Sequence, residues 1–563
     1  MKIGRNVINA LQQIAEGGEG IIYAYHNDVL KVYKKNVNTD AKQRKVATLL
    51  TTTLPSSVVA PTEPVYDDNN KFIGYIMPCI QGEEIRVLAN NKYIKANNVK
   101  MDFVLKLLVK IHKALDDLHR QHIYIGDLND QNILFNNLGQ VYFIDCDSWT
   151  VGHDPCDVVM DLFRDPLMHG TEFTAETDTY AFSILIWKLL TRIHPFGGTM
   201  NPDMNILDRM QRGLSVIDNP KVKIPRTVKS WKNLSPALVT ALNDIFTNHS
   251  RVLKDELEDM CANLKFCDTD KEYYYGKYDR CPLCDMNATV RIKPVSQGTV
   301  NGLTLVKLLA DDDVYLVLNE NSYIDKGNQV VNLKTLKQYP YSPGYRVYFL
   351  SSDIRVTVDK DVILFTTDRP YAISIRPSTA VYVSENSIYY ITPAGMLTKL
   401  TVTNNGNGIQ ALCRCGYRAY FAVSNGDYCI ISQYDDRLIV NCSGRNYEVS
   451  YKDKIVNYGI HQDCVTSKWL VLLENSAGQH ITYIFGIGLE FHNDQIPYEG
   501  SLANVCFSNN TIYIPLDGKI RGYSPIKQVF KDFECDAVTP ESKLIKNGRQ
   551  FTIVNDENIY VLG

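Results

Sequence analysis

The sequence predicts a multidomain α+β protein, in which a region of mixed strands and helices precedes a small cysteine-rich segment and an all-β region. Three observations lead to this prediction. Apolar residues recur at three- and four-residue spacing over Met101–Gln121, which indicates a long amphipathic helix. A Cys-Pro-Leu-Cys group follows at 281–284. From about residue 295, short strand-like runs separated by turns continue to the end. With 563 residues, the chain is too long for a single core.

Composition excludes several classes of function. The formal net charge of −4 gives no electrostatic reason to expect a nucleic-acid partner or an anionic membrane surface. Met1–Asn6 lacks the apolar run of a signal peptide, and Ala181–Leu190 is too short to cross a bilayer. The 14 cysteines show no disulfide-like framework. We therefore expect a protein of a reducing compartment, with neither nucleic acid nor membrane as its partner.

The most informative stretch is a predicted β-hairpin with polar residues at one end. Asn132–Phe135 and Val141–Ile144 are apolar runs around a turn. Asp127 and Asn132 precede the first strand, and Asp145 follows the second. Oxygen ligands of this kind suit Mg²⁺, which completes its shell with phosphate and water. The alternative is that these residues only cap turns.

Two N-terminal features point to phosphate binding. The turn Ala15–Gly20 contains glycines that let a backbone approach phosphate oxygens, although ordinary hairpins use the same residues. Lys31 lies in the middle of the apolar strand Val29–Tyr33, where an inward lysine needs anions to meet it. An outward lysine on a half-exposed strand is the alternative. A further strand, Lys71–Ile80, stops at Pro78.

In this order, these residues resemble the protein kinase family over roughly residues 8–265. The resemblance implies a bilobal domain, with an N-lobe at 1–78 and a C-lobe at 79–260. It also implies that Lys31 holds the α- and β-phosphates of ATP, Asp127 orients the acceptor hydroxyl, and Asn132 and Asp145 bind Mg²⁺. The expected nucleotide-binding residues are Ala15, Gly17, Gly18, Gly20, Ile22, Lys31, Met77 and Cys79.

The resemblance extends further along the chain. The helix expected at Thr177–Thr191 carries Asp178 near its start, and His194-Pro-Phe196 follows it. An aspartate in this place is an ordinary helix N-cap. In kinases it holds the backbone of the catalytic loop, so Asp178 is interpreted as structural.

Several positions depart from the kinase pattern. Between Lys31 and residue 61 there is no glutamate to pair with the lysine, and Gln43 on a predicted helix, Thr39–Thr51, is expected in its place. Ile125-Gly126 replaces His-Arg, so activity should not need a phosphorylated activation segment. Asn129 stands where a lysine is usual, and Asp145-Cys-Asp147 replaces Asp-Phe-Gly. The irregular segment Ser148–Pro166, which follows Asp147, is interpreted as the activation segment. The glutamate expected after Asp165-Pro166 at its end is missing.

The cysteine-rich segment at 261–290 is interpreted as a zinc knuckle or linker, with Cys261, Cys267, Cys281 and Cys284 as candidate ligands. Free thiols are the alternative, and a non-cysteine ligand could complete the set. Bacterial kinases associated with tellurium-resistance-type operons are similar in this Cys-Pro-x-Cys group, in Gly126–Asn129 and in Phe143–Ser148. That resemblance implies the cytoplasm of a bacterium or of a bacteriophage host.

Residues 295–563 are predicted to form a β-propeller of six or seven blades, because strand–turn–strand units recur along them. A pair of β-sandwich domains is the alternative. No motif of an active site occurs in this part, so we expect a platform that binds a protein partner or substrate. Oligomeric state stays open.

The sequence thus predicts an ATP- and Mg²⁺-dependent kinase acting on Ser or Thr of a protein recruited by the β region. A nucleotide-binding pseudokinase that acts as scaffold or switch is the alternative, favoured by Gln43 and Asn129. A kinase-fold enzyme that modifies a small molecule, or transfers a nucleotidyl group, is also compatible with these motifs.

Overall fold

The computed structural model describes residues 1–35, 37–156, 159–168, 170, 172–200, 204–287, 297–300, 303–310, 313–350, 354–366, 371–377, 379–403, 406–463, 465–494 and 496–563. The chain divides into two compact units, Met1–Ile292 and Lys293–Gly563. Each unit is described by itself. The domain boundaries predicted at residues 290 and 295 lie outside the described residues.

The first unit begins with a five-stranded antiparallel sheet in the order β1-β2-β3-β5-β4. Its strands are β1 Gln13–Glu16, β2 Gly20–Tyr25, β3 Asp28–Tyr33, β4 Glu63–Tyr66 and β5 Phe72–Pro78. Two helices accompany it, α1 Arg5–Ala10 and α2 Thr39–Thr51. Ile8 is the buried residue of α1, and the first strand begins at Gln13.

Helix α2 has the predicted bounds, but its buried face contains two lysines, which the sequence did not predict. Asn38 caps its N-terminus by accepting a hydrogen bond from the backbone N–H of Ala41. Its buried residues are Lys42, Lys45, Val46 and Leu49. Two lysines on a buried helix face need anionic or carbonyl partners inside the unit.

The rest of the first unit is mainly helical. Its helices are α3 Asn91–Ala96, α4 Met101–His119, α5 Ala175–Thr191, α6 Ile206–Gln211, α7 Pro236–Thr247, α8 Glu256–Ala262 and α9 Pro282–Asn287. Three small sheets join them: β6 Glu83–Glu84 with β7 Ile133–Phe135 and β8 Val141–Phe143; β9 Thr199–Met200 with β10 Val222–Lys223; β11 Leu264–Cys267 with β12 Glu272–Tyr275. The core lies between α4 and α5, where Leu108, Ile111, Ile184 and Trp187 are fully buried. Both the long helix and the hairpin were predicted from the apolar spacing.

In its described residues, the second unit consists of seven antiparallel sheets. Three have the strands β15 Val314–Asn319, β16 Ser322–Asp325, β17 Gln329–Asn332 and β18 Gln338–Pro340; β19 Arg346–Phe349, β20 Arg355–Asp359, β21 Val362–Thr366 and β22 Tyr371–Ser374; β23 Tyr382–Ser384, β24 Ser387–Ile391, β25 Met396–Thr403 and β26 Gly406–Arg414. The next three have β27 Arg418–Ser424, β28 Asp427–Gln433, β29 Arg437–Cys442 and β30 Arg445–Ser450; β31 Ile455–Gln462, β32 Trp469–Asn475, β33 His480–Phe485 and β34 Leu489–Asn493; β35 Cys506–Ser508, β36 Thr511–Leu516, β37 Lys519–Ser524 and β38 Val529–Glu534.

The seventh sheet joins the two ends of the unit. It contains β13 Gln297–Val300, β14 Leu303–Lys307, β41 Ile559–Leu562, β40 Gln550–Val554 and β39 Lys543–Asn547, in this order. Strand β14 pairs with β41, so that Leu305 faces Leu562. Apolar clusters link the seventh sheet to both β15–β18 and β35–β38. From β19–β22 to β35–β38, each sheet shares an apolar cluster with the next sheet in sequence. A large all-β region therefore follows the mixed first unit, as predicted.

No helix in the described part of the chain combines the length and the apolar character that crossing a membrane requires.

Candidate active site

The N-terminal sheet places four of the predicted site residues on one face. Cross-strand register aligns Ala15 with Ile22, Ile22 with Lys31, and Lys31 with Tyr75. Residues directly opposite each other in an antiparallel sheet point to the same side. Met77 is two residues beyond Tyr75 on β5 and shares that side. Ala15, Ile22, Lys31 and Met77 are thus brought together, while Cys79 follows the end of β5 and is exposed.

The glycine-rich turn between β1 and β2 closes with a hydrogen bond from the backbone N–H of Gly17 to the carbonyl oxygen of Gly20, at 2.8 Å. A Cβ atom at Gly20 would lie 3.3 Å from Cε of Lys31 and 3.0 Å from the carbonyl oxygen of Val32. A Cβ atom at Gly18 would have no neighbour within 4 Å, and one at Gly17 would lie 3.7 Å from the carbonyl oxygen of Gly20. The turn therefore lies directly beside the lysine, with a surface of bare backbone.

Lys31 is buried and points inward, as the sequence predicted. Its Nζ contacts Oδ1 of Asp145 and lies 2.6 Å from Oδ1 of Asp147. The Asp145 side chain is 40% exposed, whereas that of Asp147 is fully buried. Burial alone would lower the pKa of Lys31, but the two carboxylates outweigh burial and raise that pKa above its usual value.

Asp147 is the best-connected acid of this site. Its Oδ1 also accepts a hydrogen bond from Tyr75 Oη at 2.6 Å, and its Oδ2 accepts one from Tyr33 Oη at 2.7 Å. Lys42 Nζ lies 3.9 Å from Oδ2 and donates to the backbone oxygen of Asp147 at 3.2 Å. Burial favours protonation of the carboxyl, but the charges of Lys31 and Lys42 hold the pKa of Asp147 below its usual value.

Gln43 does not occupy the place expected for it. Its side-chain nitrogen is 3.5 Å from Tyr66 Oη, and the neighbouring Lys42 is the residue that faces the site. The prediction that Gln43 stands in for a glutamate was therefore wrong. A one-residue difference on a helix rotates a side chain by about 100°, which separates the two faces.

The loop before β7 brings Asp127 and Asn132 into contact. Asn132 Nδ2 donates to Oδ2 of Asp127 at 3.0 Å and to its backbone oxygen at 3.1 Å. Oδ1 of Asp127 accepts from the backbone N–H of Met160 at 2.8 Å. Asn129 is buried and stabilises the loop from within, since its Oδ1 accepts from the N–H groups of Gln131 and Asn132. The carboxylate of Asp127 is held in one orientation.

Asp178 anchors this loop from α5. Its two carboxylate oxygens accept hydrogen bonds from the N–H groups of Ile125 and Gly126, both at 2.8 Å, and His119 Nε2 is 3.0 Å from Oδ2. The interpretation of Asp178 as structural is confirmed. It is not the helix cap, because Thr174 caps α5 and forms a capping box with Thr177.

The close surroundings of Gly126 explain why no arginine precedes Asp127. Its φ of +73° is one that L side chains rarely adopt. A Cβ atom there would also lie 2.8 Å from Cβ of Cys156 and 3.1 Å from a ring carbon of Phe173. The segment that follows Asp147 thus packs onto the bare backbone at Gly126.

Although the glutamate expected after Asp165-Pro166 is missing, Asp165 itself provides a buried carboxylate at this place. Arg251 donates to both oxygens of Asp165, each at 2.6 Å, and both side chains are buried. The Arg251 guanidinium also stacks over the ring of Tyr180, 4.6 Å from its centre. This buried, bidentate pair fixes the end of the segment that begins at Ser148.

Helix α2 is tied to the same segment by its basic residues. Lys45 Nζ donates to the backbone oxygen of Pro155 at 2.6 Å and is 3.4 Å from that of Ser148. Arg44 binds both carboxylate oxygens of Asp154 at the surface, at 2.5 and 3.1 Å. The helix and the segment are therefore joined by direct side-chain contacts.

The cysteine cluster differs from the predicted one by a single ligand. Cys267, Asp270, Cys281 and Cys284 place one donor atom each within 4.8 Å of one another. Cys261 lies on α8 and is not among them, so its assignment as a ligand was wrong. Asp270 occupies the turn between β11 and β12. Asp270, three residues after Cys267, is thus the non-cysteine donor that the sequence left open as the alternative to Cys261.

Comparisons with known proteins agree with this geometry. Residues 9–263 match the family model of the protein kinase domain. The chain is 25% identical over 216 residues to a Clostridium perfringens protein described as a probable serine/threonine-protein kinase, covering 35% of this chain and 30% of that protein. A Dictyostelium discoideum protein with the same description is 24% identical over 205 residues, covering 34% and 7%. Mouse ribosomal protein S6 kinase delta-1 is 32% identical over 101 residues, covering 16% and 10%.

The chain thus spans less than a third of the length of each of these relatives. The family match covers the sheet that carries Lys31, the loop of Asp127 and the hairpin that ends at Asp145. Residues 9–263 are a protein kinase domain, and in this chain a large all-β region follows it.

Proposed function

We propose that the first unit transfers the γ-phosphoryl group of ATP to Ser or Thr of a protein, with Mg²⁺. The observation that carries the proposal is a pair of contacts at one end of the hairpin β7–β8. Lys31 contacts Asp145, which follows β8, and Asn132, which precedes β7, contacts Asp127. Phosphoryl transfer demands positioning and charge stabilisation more than covalent chemistry. These four side chains provide both. The descriptions of the relatives as serine/threonine kinases support the choice of acceptor.

The donor set fits Mg²⁺. Asp145 offers a partly exposed carboxylate. The amide nitrogen of Asn132 donates to Asp127, which leaves the amide oxygen as its metal-binding atom. One carboxylate and one amide oxygen, completed by phosphate and water, are typical of magnesium sites in kinases. Bound Mg²⁺ would neutralise phosphate charge that develops during transfer.

The protein side chains would divide the remaining work. Lys31 is buried beside the glycine turn and supplies a positive charge for the α- and β-phosphates. Asp127 orients the acceptor hydroxyl and accepts its proton, with its own orientation fixed by Met160 and Asn132. The faces of Ala15, Ile22 and Met77 supply apolar contacts for adenine.

A nucleotide-binding pseudokinase scaffold is the second candidate. Asn129 favours it, because its side chain is turned into the loop and offers no charge to the γ-phosphate. Such a protein would bind MgATP without transferring phosphate.

Purified protein incubated with Mg²⁺ and γ-labelled ATP, alone and with a generic basic protein, separates these candidates. We expect label on protein in the wild type and none in Asp145→Asn, because the variant loses a metal-binding carboxylate. The exposed Asp116→Asn on α4 is the matched control and should label normally. A MgATP-induced rise in melting temperature without label would support the scaffold. A result with neither label nor a rise in melting temperature would contradict both candidates.

We also propose that Cys267, Asp270, Cys281 and Cys284 hold a structural zinc ion. Three thiolates and a carboxylate suit tetrahedral Zn²⁺. The Sγ atoms of Cys267 and Cys284 are 3.5 Å apart, and Asp270 Oδ2 is 2.8 Å from Cys284 Sγ and 3.3 Å from Cys281 Sγ. These separations are close to those between ligands of one zinc ion. The cluster also supports the finer resemblance to bacterial kinases of tellurium-resistance type, and with it a bacterial or phage-host cytoplasm.

Metal analysis checks the zinc proposal without any activity assay. We expect about one zinc per chain in the wild type, and loss of zinc with a lower melting temperature in Cys284→Ser, because a structural site contributes folding energy. Cys261→Ser is the matched control and should keep its zinc. A wild-type protein without zinc, or equal loss in both variants, would contradict the proposed ligand set.

For the second unit we propose a seven-bladed propeller that recruits the protein substrate. Support comes from the six sheets of four consecutive strands, the seventh that joins first and last strands, and the apolar clusters that this seventh sheet shares with β15–β18 and β35–β38. Pairing of the chain ends in one sheet closes a propeller and protects its edges. Two sandwiches would not need the pairing of β14 with β41.

A further inference from the structure

We propose that Asp147 is the positioning residue for Lys31, in the role that the kinase resemblance assigns to a glutamate on a helix. This inference rests on the proposed kinase function and deepens it. Lys31 projects from β3, and the nearest acids are Asp145 and Asp147 of one loop. Asp145 is the more exposed member of the pair, with 40% of its side chain exposed, and is the metal ligand of the proposed function. Asp147 is the fully buried member.

The hydrogen bonds of Asp147 distinguish it from a metal ligand. Oδ1 is shared by Lys31 and Tyr75, both at 2.6 Å, and Oδ2 is bound by Tyr33 at 2.7 Å. A carboxylate with these donors, and with no exposed surface, has little capacity for a hard cation. Its oxygen atoms are instead fixed opposite the lysine. When Asp145 binds metal, Asp147 remains as the partner that keeps Lys31 in place.

Helix α2 contributes a cation where the kinase pattern has an acid. Lys42 donates to Glu19 Oε2 of the glycine-rich turn at 2.6 Å and to the backbone oxygen of Asp147 at 3.2 Å. Lys42 therefore connects the glycine-rich turn, helix α2 and the loop that contains Asp145 and Asp147. Three carboxylates, those of Glu19, Asp145 and Asp147, surround the ammonium groups of Lys31 and Lys42. In the kinase pattern the helix supplies an acid to the lysine of the strand. Here α2 supplies the cation Lys42, and the loop supplies the acid Asp147.

This arrangement has a consequence for regulation of the site. In it, the partner of Lys31 and the metal-binding Asp145 belong to the same short loop, two residues apart. Positioning of Lys31 then does not require α2 to deliver a carboxylate. The lysine–acid pair is formed whenever the loop is folded, and Lys45 and Arg44 contact the following segment directly.

Steady-state kinetics with the full chain test the role of Asp147. We expect Asp147→Asn to lower kcat about tenfold or more, because loss of the charge lets Lys31 move away from the phosphates by about an ångström. Affinity for adenosine, which has no phosphates, should stay close to the wild-type value. Asp116→Asn, which changes an exposed carboxylate on α4, is the matched control for kcat and for adenosine binding.

The adenosine measurement separates positioning from a general loss of structure. A kcat close to wild type in Asp147→Asn would overturn the inference. A parallel loss of adenosine affinity would overturn it too, because Asp147 would then support the whole pocket. Wild-type protein that transfers no phosphate is a different result, which overturns the proposed function itself and the role of Asp147 with it.

A milder variant covers the case in which Asp147→Asn does not fold. The double change Tyr33→Phe with Tyr75→Phe removes both hydroxyls that orient Asp147 while keeping the carboxylate and the apolar packing. We expect a smaller but clear decrease in kcat, with adenosine affinity again retained. A wild-type kcat in this variant would contradict the positioning role.

Discussion

Asp127→Asn should lower kcat for phosphoryl transfer by about 10²- to 10⁴-fold, the contribution typical of a positioned general base. The carboxylate is oriented by Met160 and Asn132. The other acid of the loop, Asp130, is buried and bound by Lys188 at 2.6 Å, and Asn129 is turned inward, so neither replaces Asp127. An amide in the same place can still accept the Met160 N–H, so the loop should keep its conformation. Label incorporation at saturating MgATP measures the effect.

Nucleotide binding provides the control for this variant. Because Asp127 acts on the acceptor hydroxyl in the proposal, Asp127→Asn should retain the MgATP-induced rise in melting temperature. Asp145→Asn should lose it. If Asp127→Asn transferred phosphate at the wild-type rate, Asp127 would not be the base. If it also lost the melting shift, the residue would contribute to nucleotide binding instead.

Motifs that depend on neighbouring residues were predictable from the sequence. The hairpin that carries Asn132 and Asp145 follows from two apolar runs and a turn, and helix α4 follows from its apolar spacing. Lys31 was correctly placed inward because an apolar strand surrounds it. In each case the relevant information lies within about ten residues, where strand alternation and helix periodicity apply.

Three carboxylates were not predictable, and they share one physical reason. Asp147, Asp165 and Asp270 each place an acid close to where the known pattern expected another residue. A buried cation or a metal ion requires a carboxylate oxygen at a point in space, not at a position in the chain. Side chains from neighbouring segments can reach that point. Comparing positions alone therefore predicted that Lys31 lacks an acidic partner, because α2 offers none. In the structure Asp147 is that partner.

The all-β region shows the same limit on a larger scale. Recurrent strand-like runs separated by turns predicted a β-rich region, but they left the number of sheets open at six or seven. The seventh sheet depends on the pairing of β14 with β41, whose residues are separated by almost the whole unit. Register between such distant strands depends on the packing of the intervening sheets, which no local pattern records.

Asp178→Ala is expected to destabilise the first unit more than any surface substitution. The change leaves the buried N–H groups of Ile125 and Gly126 without their acceptors, and each unsatisfied group costs about 1–3 kcal/mol. It also removes the partner of His119. We expect the free energy of unfolding to fall by about 3 kcal/mol, and kcat to fall with it, because the loop that holds Asp127 loses its anchor.

Urea denaturation followed by tryptophan fluorescence measures this effect. Three of the four tryptophans, Trp149, Trp187 and Trp231, belong to the first unit, so its transition dominates the signal. Asp178→Asn should be affected less, since one amide oxygen can still accept one of the two N–H groups. Asp116→Ala on the exposed face of α4 controls for loss of a carboxylate. An unchanged first transition in Asp178→Ala would mean that the loop keeps its conformation without Asp178.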